Sequence, residues 1–191
     1  MPPERQVRAL FDDRTVTVYQ AYRPAIADAA LRAGTLVAPF KRTRMTWIKP
    51  SFLWTMHRSG WAGKPDQERI LAIAITRSGF EWALAHSAPS AFDPRLDDDH
   101  DAWRRRKDAS PVRVQWDPER SRDLEPLPWR AVQIGLSGEA VERYVDGWIT
   151  GLSDVTALAH ALRPGGPGGT PPQERPYPLP AELASRIGAD R

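Results

Sequence analysis

The run Ile70-Leu71-Ala72-Ile73-Ala74-Ile75 constrains the fold more than any other feature of the chain. It is almost continuously apolar, the pattern of a strand buried on both faces. It falls far short of the length needed to cross a bilayer, and no other stretch approaches that length. Ser78-Gly79 breaks it.

The flanking segments add shorter elements. Thr15–Tyr19 is rich in β-branched residues and reads as a strand. Pro24 suits a first helical turn; Ile26, Ala29, Ala30 and Ala33 follow at helical spacing, and Gly34 supplies the stop. Met45–Ile48 predicts a second strand ended by Pro50, and Ser51–His57 a short helix ended by Gly60. Phe80, Trp82, Ala83 and Leu84 predict another short helix. Val112, Val114 and Trp116 alternate with Arg113 and Gln115, which predicts a half-buried strand; Ala131–Leu136 predicts one more. Val141, Tyr144, Val145 and Trp148 share one face of a helix that starts near Glu139, and a last helix spans Asp154–Leu162, capped by Ser153 or Asp154. Helices and strands mix without strict alternation, so the expected class is α+β: one domain over residues 5–162, with a mixed or antiparallel sheet and short flanking helices. Residues 87–110 are expected to be a long polar connection, and residues 163–191, rich in Pro and Gly, a flexible tail.

The absence of cysteine excludes disulfides, thiolate metal sites and a cysteine nucleophile. The four histidines stand at no ligand spacing, and there is no glycine-rich phosphate loop, serine elbow or HExxH helix. Pro2, Pro3, Glu4 and Arg5 precede any apolar run, which is not a secretory pattern, so a cytoplasmic protein without membrane partners is expected. The net charge of +3 is mild, but residues 41–69 hold seven basic residues against two acids. Like charges packed so densely repel unless they share an anion, which points to a phosphate-bearing partner, a nucleotide or a nucleic acid.

Three segments carry the candidate chemistry. Tyr19, Gln20, Tyr22 and Arg23 lie where the first strand meets a turn; Gln20 can donate and accept, and Arg23 can grip a phosphate. In the second segment, strand alternation sets Arg44, Thr46 and Ile48 on one face and Met45, Trp47 and Lys49 on the other, followed by Ser51 and Trp54. Arg44 and Lys49 suit phosphate; Trp47 and Trp54 fit either a stacking wall for a base or anchors of the core. In the third, Gln115 and Asp117 share a strand face, and Glu119 follows just beyond Pro118; a carboxylate at a strand end can act as general base or stabilise a developing cation.

The runs Tyr19–Tyr22, Arg44–Trp54, Arg58–Trp61, Gln67–Ile73, Gly79–Leu84, Val114–Arg120 and Gln133–Gly138 resemble the domain-of-unknown-function 4291 family over about residues 5–162. More remotely, the order strand, polar turn, helix, glycine over residues 16–34 resembles the opening of ADP-ribosyltransferase domains. That resemblance implies an NAD-dependent transferase acting on nucleic acid or protein. Gln20 would stand at the first-strand position, Trp47 and Ser51 in the middle element, and Glu119 or Asp117 would be the catalytic acid. The chain departs from that pattern in having Gln20 where His or Arg is expected, and in the altered placement of its acid. The competing expectation is a non-enzymatic RNA- or DNA-binding module that uses the basic-aromatic face of residues 41–69.

Overall fold

The computed structural model describes residues 1–190. The chain begins with a two-residue strand, β1 (Arg8–Ala9), and the long strand β2 (Thr15–Tyr22). Helix α1 (Pro24–Ala33) opens on its proline, whose missing N–H would have had no helical partner, and closes at Gly34, a left-handed residue whose N–H donates to the Ala30 carbonyl. The short β3 (Thr46–Ile48) leads to α2 (Phe52–Ser59), and β4 (Arg69–Thr76) runs directly into α3 (Arg77–Ala85), where Thr76 Oγ1 accepts from Gly79 N at 3.1 Å. There follow β5 (Ser87–Pro89), α4 (His100–Asp108), β6 (Val112–Arg120) and β7 (Pro126–Leu136). Helix α5 (Glu139–Arg143) widens into a π-helical turn over Tyr144–Trp148. Strand β8 (Ile149–Asp154), α6 (Thr156–Leu162), β9 (Arg175–Pro176) and α7 (Ala181–Ile187) complete the chain.

The strands form three sheets, in the orders β2-β4-β8, β3-β7-β6-β5 and β1-β9. All pairings are antiparallel except β5 with β6, so the four-stranded sheet is mixed. This is a single α+β domain. The two larger sheets meet at an isolated bridge between Tyr19 and Lys49, where Tyr19 N donates to the Lys49 carbonyl at 2.7 Å.

The apolar run becomes the middle strand of its sheet. Leu71, Ile73 and Ile75 are fully buried in the main core with Val16, Val18, Ile134 and Tyr144. Ile70 joins a second cluster with Tyr19, Phe52, Met56 and Trp61. Each such side chain contributes about 1.5–3 kcal/mol by leaving water. Burial on both faces therefore holds at the start of β4 only; Ala72 and Ala74 remain partly open because the sheet is antiparallel and its second face is only partly covered.

Two expectations are corrected. The polar connection over residues 87–110 contains β5 and α4. Helix α4 buries no side chain. The Asp99 carboxylate caps it by accepting from Ala102 N at 2.7 Å, and Arg105, Arg106 and Lys107 in its last turn suit its dipole. It therefore has no apolar stripe for periodicity to detect. The segment expected to be a flexible tail packs back on the body. β9 pairs with β1, Tyr177 N donates to the Val7 carbonyl, and Trp116 Nε1 donates to the Ile187 carbonyl. Tyr177 and Ile187 are buried, and the Tyr177 ring meets Phe11 and Phe80 edge-on at 5.1 and 5.3 Å. The Pro/Gly composition of residues 163–172 hides these apolar anchors further on.

Candidate active site

Ser51 ends the turn after β3 in an extended conformation and caps α2, accepting from Trp54 N at 3.0 Å. The same hydroxyl donates to Glu119 Oε1 at 2.9 Å. Glu119 lies within β6 rather than beyond it, at a register shift between Pro118 and Arg120, an irregularity that re-aims side chains. Asp117, two residues earlier, faces elsewhere. Its oxygens accept from Gln115 Nε2 at 2.9 Å and Gln133 Nε2 at 2.6 Å. The shared face of Gln115 and Asp117 is as expected; Glu119, expected past the strand end, instead lies inside β6.

A third carboxylate completes the cluster around Ser51. Glu174, from the segment before β9, accepts from Phe52 N at 2.7 Å, so the first turn of α2 is satisfied by Ser51 and Glu174 together. Arg8 Nη2 holds the Glu174 backbone carbonyl at 3.0 Å. Burial raises the Glu119 carboxyl above its usual range, while the hydrogen bonds from Arg120 N and Ser51 pull it back. Burial pushes Glu174 up to about 8; the Phe52 N–H opposes this and the Glu119 charge adds to it. Two interacting acids of this kind share protons as a pair. Glu119 accepts two hydrogen bonds and Glu174 one, which favours charge on Glu119 and the proton on Glu174.

These acids line a cavity of 590 Å³, walled by Arg8, Arg120, Arg175, Leu53, Leu127 and Trp129 and by the chain from Thr170 to Glu174. That is room for a ligand of nucleotide size. Ser51 and Glu119 are two of the candidates that the sequence pattern and the family resemblance single out. That pattern misses Glu174, Arg8, Trp129 and Arg175, which lie far away in sequence and carry no local signal.

The remaining candidates fall elsewhere. Gln20 is buried and committed: it donates to Thr46 Oγ1 at 2.7 Å and to the Trp47 carbonyl at 3.1 Å, and accepts from Tyr144 OH at 2.7 Å. Thr46 is thereby a structural partner, with Tyr22 OH 3.3 Å from its hydroxyl. Tyr19 packs edge-on against Phe52 in the second core cluster. Trp54 is buried between His57, stacked at 5.0 Å, and the Arg120 guanidinium at 5.5 Å, so it is an anchor rather than an open stacking wall. Arg23 and Arg44 line a separate cavity of 370 Å³ with Tyr22, Phe40, Lys41 and Met45. Trp47 lies over Gly135, where a Cβ would come within 3.0 Å of its ring. Lys49 shares a third, smaller pocket with Trp47 and Arg58; burial draws its ammonium down to about 8, with Arg58 adding repulsion and Asp117 opposing. The basic run is also partly neutralised: Arg42 pairs with Asp146 at 2.6 Å, and Arg69 pairs with Asp28 at 2.7 Å and with Asp154. Among the described residues no group of three or more His, Cys, Asp or Glu could hold a metal ion, and no helix is long and apolar enough to cross a membrane.

Fold and site together define an α+β domain with a carboxylate pair at a helix N-terminus. The family model described as "Domain of unknown function (DUF4291)" matches residues 6–166, and the chain belongs to that family. Ser51 and Glu119 lie within the matched region and Glu174 beyond it. No curated protein matches the chain.

Proposed function

We propose that this protein is a nucleotide-handling group-transfer enzyme that uses NAD as an ADP-ribosyl donor. The observation that carries the reading is the contact between Ser51 and Glu119 on the wall of a nucleotide-sized cavity. The ADP-ribosyltransferase resemblance assigns these two residues to the middle element and the late strand, and they are hydrogen-bonded partners in the fold.

The chemistry follows from the charge states. The C–N bond between nicotinamide and ribose breaks, and nicotinamide leaves with the bonding pair. The ribose carbon becomes oxocarbenium-like, and a Glu119 carboxylate beside it stabilises that cation. A hydroxyl of the acceptor then bonds to the ribose carbon and releases its proton to solvent or to a carboxylate of the pair. Arg8, Arg120 and Arg175 suit the pyrophosphate, and Trp129 offers an aromatic wall. Asp117 is occupied by two glutamine amides, which favours Glu119 as the acid.

The test is a thermal-shift scan with NAD, ATP, GTP and short RNA, followed by nicotinamide release from NAD. NAD is expected to raise the wild-type midpoint through mass action, and Glu119→Gln to abolish nicotinamide release while still binding. Indifference to NAD together with no nicotinamide release overturns the reading. A shift with RNA alone, weakening steeply with salt, replaces it with the nucleic-acid-binding module.

A further inference from the structure

The pocket beside the bridge between the two sheets is distinct from the cavity of the acid pair. Its volume is 170 Å³, below the roughly 300 Å³ at which pockets for whole drug-sized ligands begin. Lys49, just after β3, and Arg58, from the last turn of α2, both line it, with Gln67 and Trp47.

The two cations differ from their neighbours. Arg42 and Arg69, in the same basic stretch, each have carboxylate partners. Lys49 Nζ has one long hydrogen bond, to the Trp47 carbonyl at 3.4 Å, and the Arg58 guanidinium has no carboxylate partner among the described residues. Asp117, the acid whose charge acts on Lys49, is held by Gln115 and Gln133. Two like charges line one small cavity, and the Asp117 charge offsets their repulsion only in part. The arrangement costs repulsion that a bound anion would remove.

From this geometry we infer that the Lys49–Arg58 pocket binds a phosphate group. Two cations match a dianion better than a carboxylate, and the guanidinium and ammonium together offer donors on two sides of a tetrahedral oxyanion. Tyr22 lines both this pocket and the 370 Å³ cavity of Arg23, Lys41 and Arg44, so the two adjoin across that side chain. The inference does not depend on the acid pair.

The experiment is titration of the full chain at low salt with sodium phosphate, AMP, adenosine and sodium acetate, read by calorimetry and thermal shift. Phosphate and AMP are expected to raise the midpoint, less so as salt increases, while adenosine and acetate leave it unchanged. Lys49→Gln and Arg58→Gln should each lose most of the shift; Arg58 is exposed, so its variant keeps the fold. Glu119→Gln should keep the shift whatever becomes of NAD chemistry. AMP binding no tighter than phosphate identifies free phosphate as the ligand. Tighter AMP binding, with the advantage lost in Arg44→Ala, identifies a phosphomonoester. A wild type unmoved by both, an equal response to adenosine, or a Lys49→Gln protein that responds like wild type overturns the inference.

Discussion

Ser51 and Glu119, 68 residues apart in sequence, are joined by a 2.9 Å hydrogen bond that ties the start of α2 to the end of β6. The same hydroxyl caps the helix. Ser51→Ala therefore removes a cap and leaves a buried carboxylate oxygen with one donor fewer. A loss of about 2 kcal/mol is expected in urea unfolding. An unchanged midpoint would show that water or another group replaces the hydroxyl without cost.

Glu174 makes stability depend on pH. Its carboxyl titrates at about 8 in the folded chain, against an ordinary value of 4.5. Between these values the folded state holds a proton that the unfolded state has released. The contribution is full below about pH 4.5 and disappears as pH rises through about 8. Unfolding midpoints measured across this range should fall with rising pH, less steeply in Glu174→Gln. Parallel curves for the two proteins would assign the pH dependence to other groups.

Gln20 separates structural from catalytic roles. Tyr144→Phe removes the hydroxyl that donates to Gln20 Oε1, leaving a buried acceptor unsatisfied. A loss of about 1–3 kcal/mol is expected. Nicotinamide release per folded molecule should be unchanged, because Gln20 lies outside the cavity of the acid pair. A drop in turnover with unchanged stability would return Gln20 to the site.

Tyr177 distinguishes a packed C-terminal segment from a flexible one. Its ring is buried against Phe11 and Phe80. Tyr177→Ala should cost about 3–5 kcal/mol, as truncations of large buried aromatics do. A residue in a flexible tail would cost nothing, and limited proteolysis near Pro171 would then be fast in the wild type as well.

Much of the scaffold is legible in local pattern. β-Branched runs mark β2 and β4, alternation marks β6, and Pro24, Gly34 and Gly60 bound their helices. The face Val141, Tyr144, Val145 and Trp148 is buried as its spacing predicts, although the helix widens into a π turn partway along. β8 escapes notice because Ile149–Asp154 has little apolar alternation and is held mainly by pairing with β4. α4 escapes because capping and charge, not an apolar stripe, define it.

The sequence by itself determined the α+β class and the candidacy of Glu119 and Lys49, which follow from residue type and short-range spacing, while the family and the candidacy of Ser51 came from the resemblance of longer runs to known families. Only the tertiary structure decided which of them meet. A register shift at Pro118 parts Asp117 from Glu119, the bridge to Tyr19 fixes Lys49 at the junction of the two sheets, and the return of the C-terminal segment brings Glu174 to the start of α2. Such meetings depend on contacts between residues tens to more than a hundred positions apart, and no local pattern encodes them.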